Sequence, residues 1–490
     1  MTEDMKNRLD RVMDYCQTQS NIYNNFQLGS KVIINGIYGS FGFSAFYFYN
    51  KDIAEAVTKQ GKHAILRAER YINLWAKKVW LKDEKTHKRM GINIKPKSVI
   101  DCNSTVYIDT DSIYTSFDKI IKTTDWFDFQ VWRLTKVDKK TDLKSFVYVS
   151  SSRYPSLTEA MEYFEVDKID ETQYSYTIDQ IEPSGREFCL TLDRVFMHDF
   201  LVKIHDDYAK ENGTPNILDF ELEAYNEAGI WLAKKKYIKN MTWAEPNVYY
   251  EPCTKIKATG VEIAQTSSSV WVKKQLVNLV QWIFKQEEFV FKKFVDQVTE
   301  VKKQFMNQNV ETISVNKGMS KYGSYVLNDT DCVELQPKSM VTVQGAALYN
   351  WMLNNNEKYK RKYSMLSDSD KLCVVYIKPT KRYGYWKRES MVKVKDYAKN
   401  PDGYKLITNN KQTYSKNYET YEYYTDALSW TLCEAFSYPP GFFPMDMADG
   451  FEVDYDRMFD LLILGPINRI VVAMGYPEIS IGMTFDVPLW

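Results

Sequence analysis

No two of the seven cysteines (Cys16, Cys102, Cys189, Cys253, Cys332, Cys373, Cys433) form a Cys-x-x-Cys pair. Scattered in this way they disfavour a zinc or iron–sulfur site and a disulfide framework, and they fit a reducing compartment. Histidine is scarce, and the four present (His63, His87, His198, His205) show no ligand spacing. Internal repeats and low-complexity tracts are absent. The opening residues, MTEDMKNRLD, are too charged for a secretory signal. One run of 19 residues, Val32–Asn50, carries no charge. Its Gly36, Gly39, Gly42, Asn35, Asn50, Ser40 and Ser44 make it a poor spanning helix. The expectation is a soluble, cytoplasmic chain with no membrane partner. Net charge is also lacking, with 64 Lys and Arg against 64 Asp and Glu. Taken alone, that balance argues against a polyanion as ligand.

The distribution of charge says otherwise. From Lys51 to Lys97 there are 13 Lys and Arg against 5 Asp and Glu, a local excess of +8, whereas Tyr414–Asp460 is acidic. Charges segregated by region can hold a polyanion on one face, although a solvated helix face gives the same pattern. Aromatic content is high at 15%, which suits a large aromatic core or a broad binding surface. At 490 residues the chain is long enough for two or three domains.

The coarse element pattern is mixed. Residues 2–38 read as one helix, because Leu9, Val12, Met13, Cys16, Ile22, Tyr23 and Phe26 recur at three- and four-residue spacing with no proline. The Gly-rich, aromatic stretch Gly39–Tyr49 ends it. Residues 52–81 form a second helix, amphipathic and basic, and two strand-like runs follow at Ser98–Asp101 and Thr105–Tyr114. Residues 120–190, with alternating runs such as SFVYVS and QYSYTI, read as a β-rich insertion. Residues 191–211 read as a helix, Trp231–Met241 as a strand and Ser268–Gln308 as one long amphipathic helix.

Two short motifs carry chemistry. In Tyr107-Ile108-Asp109-Thr110-Asp111-Ser112-Ile113-Tyr114 two acids stand at i and i+2 among β-formers, which suggests a hairpin displaying carboxylates at its tip. In an extended strand both would share one face, and such like charges call for a cation. Mg²⁺, which takes few carboxylates plus substrate phosphates, fits two-metal phosphoryl transfer. A plain Asp-Thr-Asp turn is the alternative. On the first helix Lys31, Asn35 and Tyr38 lie at i, i+4 and i+7, on one face. Lys there can meet a triphosphate, Asn can add a hydrogen bond and an aromatic can pack on a base pair, with Gly39 ending the helix and permitting close approach. A core helix would also allow this spacing.

Together the motifs are specific. KVIINGIYG followed about 70 residues later by YIDTDS resembles motifs B and C of family B DNA polymerases, those of T-even bacteriophages above all. AEAVTKQGKHAI is similar to the first palm helix after the fingers, FELEAY (Glu221, Glu223) to the acidic strand near the metals, and AKKKYIKN to the KKRY element that grips primer-strand DNA. KIKATGVEIAQTSSS resembles the palm-to-thumb join, with Gly260 and Glu262 at the matching places. KSMVTVQGAALYNWML and LLILGPINRI resemble thumb segments. The family usually has Ser where Gly36 stands. The resemblance implies an α+β fold: a second fingers helix and motif B over 1–43, a palm with an antiparallel sheet over 44–260, a mostly helical thumb over 261–482 and a tail over 483–490. It implies two Mg²⁺ held by Asp111 and Asp109 with Glu223 nearby, Lys31, Asn35 and Tyr38 at the incoming deoxynucleoside triphosphate, and primer-template DNA at Gly39, Lys234, Lys235, Lys236 and Tyr237. The tail residues Phe485, Leu489 and Trp490 resemble a hydrophobic peptide that docks on a sliding clamp; packing on the thumb is the other reading.

The family also needs a motif A aspartate upstream of motif B, roughly DxxSLYPS, and only 30 residues precede Lys31. Ser152-Arg153-Tyr154-Pro155-Ser156 imitates the end of that motif, but Val149 stands where the aspartate belongs and the run follows motif C. The expectation is the C-terminal part of a split or truncated polymerase, inactive until an N-terminal half supplies exonuclease and motif A, and working in the infected host cytoplasm if viral. Val12, Ile22, Tyr23 and Phe26 are candidates for contact with that half. A reverse transcriptase is disfavoured because Thr110 separates the aspartates. A non-catalytic DNA-binding or scaffold subunit derived from a polymerase is the alternative.

Overall fold

A computed structural model describes residues 3–480 except 142–143, 219, 246–247, 250–253, 265–266, 337, 389–412, 416–417, 421–427, 442 and 448–449. The tail residues Phe485, Leu489 and Trp490 therefore lie outside the described residues. The fold is a mixture of helices and largely antiparallel sheets, an α+β arrangement. It divides into two compact units, one of residues 1–225 and 243–249 and the other of 226–242 and 250–490. No described helix is long and apolar enough to cross a membrane.

The first unit begins with α1 (Glu3–Phe41), uninterrupted for 39 residues, as the lack of proline allows. It outruns the sequence expectation by one turn: Gly39 does not end it, and the chain breaks away only near Gly42. Much of α1 is bare, with Tyr23 69%, Phe26 70% and Ile34 66% exposed. Next, α2 (Lys51–Leu74) is capped by Asn50, whose side chain accepts from the Asp52 and Ile53 amides. Ala64, Ile65, Ala68 and Ile72 form its buried face. A π turn (Trp75–Val79) and a 3-10 turn (Trp80–Lys82) lead to α3 (Glu84–Met90). Trp75, Trp80, Trp126 and Phe188 build the core under these helices. The expected strand at Ser98–Asp101 is absent; the backbone there is irregular, and its neighbourhood contributes a single bridge, Ile94 to Thr124.

The hairpin β1 (Thr105–Asp109) and β2 (Ser112–Thr115) precedes a short helix, α4 (Asp118–Lys122). Then comes a three-stranded sheet of β3 (Val131–Asp138), β4 (Lys144–Ser150) and β5 (Tyr174–Ile181), with β3 in the middle. Val131 pairs with Ser150 on one side and Ile181 on the other. Between β4 and β5 runs α5 (Leu157–Tyr163), started by a capping box of Ser156 and Glu159. Trp132, Leu134, Val149, Ala160 and Phe164 give this module a small core of its own. Finally α6 (Gly185–Leu192) passes through a π turn (Asp193–Met197) into α7 (His198–Glu211). Glu211 on α7 holds Arg67 of α2 in a two-pronged ion pair.

Strands β6 (Ala224–Ala233), β7 (Lys236–Ala244), β8 (Val248–Tyr249) and β9 (Lys255–Thr259) form an antiparallel sheet. The single strand expected over Trp231–Met241 is instead a hairpin that reverses at Lys234-Lys235, with Lys235 left-handed at φ 58°. In the second unit the helix expected over Ser268–Gln308 is two, α8 (Val270–Phe284) and α9 (Phe291–Met306). They break apart at Lys285–Val290, where Phe289 leaves the helical path to pack on Trp282, Phe294 and Tyr476. Leu276, Val298, Phe305, Ile463 and Ile467 join α8, α9 and the last helical segment in one core. A second core lies between helix Val341–Asn354 and two sheets, of three and four strands, so this region combines sheet with helix.

Candidate phosphoryl-transfer site

Asp109 and Asp111 do not share a face of an extended strand. Asp109 is the last paired residue of β1, opposite Ser112, and the chain turns through Thr110 and Asp111. Thr110 is left-handed at φ 58°, and the Asp111 amide donates back to the Asp109 carbonyl at 2.7 Å. A two-residue reversal of this kind needs positive φ, which breaks the strand alternation assumed from sequence. Asp109 is half-buried and receives the Thr110 hydroxyl at 3.2 Å; Asp111 is exposed at the tip. Behind them Ile108 pairs with Ile113, and the Tyr107 and Tyr114 rings meet across the strands at 5.9 Å.

A residue unnoticed in the sequence holds this hairpin in place. Asn73, on the buried face of α2 and 7% exposed, accepts from the backbone amides of Ser104 at 2.8 Å and Thr105 at 3.1 Å. Its amide nitrogen donates to Glu69 one turn earlier, at 2.5 Å. The Ser104 carbonyl in turn receives the Ser116 amide at 2.8 Å, closing the base of the hairpin. A polar residue one helical step beyond Ile72 was the only trace in the sequence, and its partners lie more than 30 positions away.

Lys31 and Asn35 are exposed on α1, and Tyr38 is partly covered. Gly39 is open, with nothing within 4 Å of where a side chain would begin. Glu223 stands exposed just before β6, its carbonyl accepting from the Glu245 amide at 2.9 Å. Among the described residues no three His, Cys, Asp or Glu side chains converge to hold a metal, so Glu223 is not gathered with the two aspartates. The aspartates are hard oxygen donors of the kind Mg²⁺ takes, and as a pair they leave most of its coordination sphere to water, substrate or other carboxylates.

Lys234, Lys235 and Lys236 are exposed at the reversal between β6 and β7, whereas Tyr237 is 6% exposed, with the Lys239 ammonium 5.6 Å from its ring. Gly260 explains the shape of that reversal. It is left-handed at φ 65°, and a Cβ there would sit 2.0 Å from the Lys235 carbonyl oxygen. Only glycine permits this approach.

Known proteins resemble this part of the chain. The sequence profile described as DNA polymerase family B matches residues 3–126, which include Lys31, Asn35, Tyr38, Asp109 and Asp111. The DNA-directed DNA polymerase of Enterobacteria phage T4 is 25% identical over 280 residues, covering 57% of this chain and 24% of the relative. That of Escherichia phage RB69 is 25% identical over 262 residues, covering 54% and 22%. The chain thus spans about a quarter of the length of the curated relatives it matches. By these matches the chain is similar to family B DNA polymerases, among them those of phages T4 and RB69.

Proposed function

We propose that the chain supplies the motif B and motif C elements of a DNA-directed DNA polymerase, which adds deoxynucleotides to a primer 3′ end on a DNA template. The observation that carries this reading is that one family match takes in both the Lys31–Tyr38 helix face and the Asp109–Asp111 turn. In this reading residues 1–43 serve as a fingers element, 44–260 as palm and 261–482 as thumb.

Lys31 and Asn35 bind the triphosphate of the incoming nucleotide as point charge and hydrogen-bond donor, and Tyr38 lines the new base pair. Asp111 and Asp109 are the metal-binding carboxylates, with Asp111 the more central. Two Mg²⁺, when bound, supply activation of the primer hydroxyl and neutralisation of the leaving pyrophosphate. Lys234, Lys235 and Lys236 engage primer-strand phosphates. No protein nucleophile is required, since the work of the chain is positioning and charge neutralisation. No stretch of these 490 residues matches motif A. The reading therefore requires its aspartate from polypeptide outside them, and the bare apolar residues Val12, Ile22, Tyr23 and Phe26 of α1 are the surface offered to it. A clamp is the proposed partner of Phe485, Leu489 and Trp490, and the cytoplasm the proposed setting.

Primer extension with Mg²⁺ and all four deoxynucleotides tests the reading, using the chain alone, the chain with the cognate N-terminal half, and the Asp111→Asn variant in that mixture. Synthesis only on mixing, abolished by Asp111→Asn, supports it. Synthesis unaffected by Asp111→Asn would leave a DNA-binding or scaffold role.

A further inference from the structure

The β-rich module over 131–181 has no role in the reading above. Where it meets α3 and the π turn before α7, the first unit has an open cleft of about 310 Å³. Val147, Phe164 and Val195 line its apolar part. Arg89, from the last turn of α3, and Arg194, from the π turn, are the two basic residues of the lining. Tyr163 ties these walls together: its hydroxyl donates to the Arg89 carbonyl at 2.6 Å and accepts from the Arg194 guanidinium at 3.0 Å. Among the described residues neither arginine is paired with a carboxylate. Glu165, the one acid of the lining, is engaged by Lys168 at 2.8 Å.

Two like charges held at one cleft repel each other, and an anion between them removes that cost. Guanidinium forks fit phosphate oxygens in two-pronged contacts. The volume suits a group of nucleotide size. On the segment leading to Arg89, Lys78, Lys82, Lys85 and Lys88 are all exposed and outnumber the two acids there, Asp83 and Glu84, so a net positive charge continues along the chain beyond the cleft. A single bound anion would not need such an extension, whereas a polynucleotide backbone would follow it. We propose that this cleft, formed by the module together with α3 and the π turn, binds a phosphate group of single-stranded DNA and serves as an accessory strand-holding site. The inference rests on the cleft and does not depend on the polymerase reading.

The test is fluorescence anisotropy with the full chain and a labelled oligothymidylate of about twelve nucleotides, over a series of salt concentrations. Arg89→Gln/Arg194→Gln is expected to weaken binding by about tenfold at low salt and to flatten the salt dependence by one to two phosphate contacts. Arg89→Lys/Arg194→Lys should retain most of the affinity, and matched circular dichroism spectra should show that both variants fold. Unchanged affinity in the Gln variant overturns the proposal, and a loss confined to Lys234→Gln/Lys235→Gln/Lys236→Gln would leave the polymerase reading standing without it. Inorganic phosphate or thymidine monophosphate that raises the melting temperature of the parent but not of the Gln variant, with no change in oligonucleotide binding, would assign the cleft to a free phosphate compound and overturn the strand assignment.

Discussion

Replacing Asn73 with Ala tests the link between α2 and the aspartate turn most directly. The substitution removes the acceptor of two backbone amides, Ser104 and Thr105, and leaves a polar hole in a place where Asn73 is 7% and Ser104 5% exposed. A buried amide left without a partner costs about 1–3 kcal/mol. Thr105 is only half-buried, so water can partly replace its bond, and the combined effect is about 2–4 kcal/mol on the opening of the hairpin base. Amide hydrogen exchange reads this locally: protection of β1 and of Ser116 should fall by about 30- to 1,000-fold at unchanged protection of α9 in the other unit. Asn73→Asp separates charge from geometry. It keeps an oxygen for the two amides but sets a second carboxylate against Glu69, and adding Glu69→Gln restores a donor–acceptor pair with its direction reversed. The double variant should recover most of the protection that Asn73→Asp loses. Exchange in Asn73→Ala equal to the parent across β1, or a double variant no better than Asn73→Asp alone, would refute the clamp.

Two further predictions concern other parts of the chain. Gly260→Ala sets a methyl group against the Lys235 carbonyl and forces a left-handed backbone on a residue with a Cβ, so it should destabilise by at least about 2 kcal/mol, read as a lowered thermal midpoint; an unchanged midpoint would mean that the Lys234–Lys236 reversal is not held as described. His87 is 4% exposed against the Trp80 ring, and burial lowers its pKa below the ordinary imidazole range despite the opposing pull of Asp83. The unfolded chain then takes up a proton before the folded one does, so the stability from His87 is complete above about pH 6.5 and is lost as the pH falls below it. Denaturant titrations at several pH values should show that dependence, and His87→Gln should flatten it; an identical slope in the variant would remove His87 as its source.

Much of the first unit was legible in sequence because its signals are local. The proline-free run over α1 and the apolar periodicity of α2 depend only on neighbours three and four residues away. The alternation in β4 and β5 likewise marks them as strands, but not that β3 would lie between them. What escaped was set by contacts across the chain. Lys234-Lys235 carries no turn signature, and its left-handed Lys235 becomes intelligible only when Gly260, 25 residues on, is seen against its carbonyl. The break between α8 and α9 has no glycine or proline, and follows from Phe289 joining an aromatic cluster that includes Tyr476. At the candidate site the residue types and spacing of Asp109 and Asp111 were plain, whereas their relation through a left-handed Thr110 required the hairpin register. Asn73 looked like any polar residue on a helix, since an acceptor of distant backbone amides has no local pattern.

The pairing of Val131 with Ile181 has a consequence for how such a chain can change over time. The first and last strands of the β-rich module run side by side, and Gln130 reaches Glu182 across the junction at 3.3 Å. A segment that departs and returns at one point can lengthen, shorten or be exchanged while the flanking backbone stays where it is, since closing a longer loop adds little entropic penalty. The restraint comes from the side that faces inward, where Val131 and Tyr148 belong to the same core as Trp80 and Phe188. Variation is thus cheap along the exposed faces and turns of the module and expensive at that shared wall, a division that lets one part of the chain drift in sequence while the aspartate turn is left untouched.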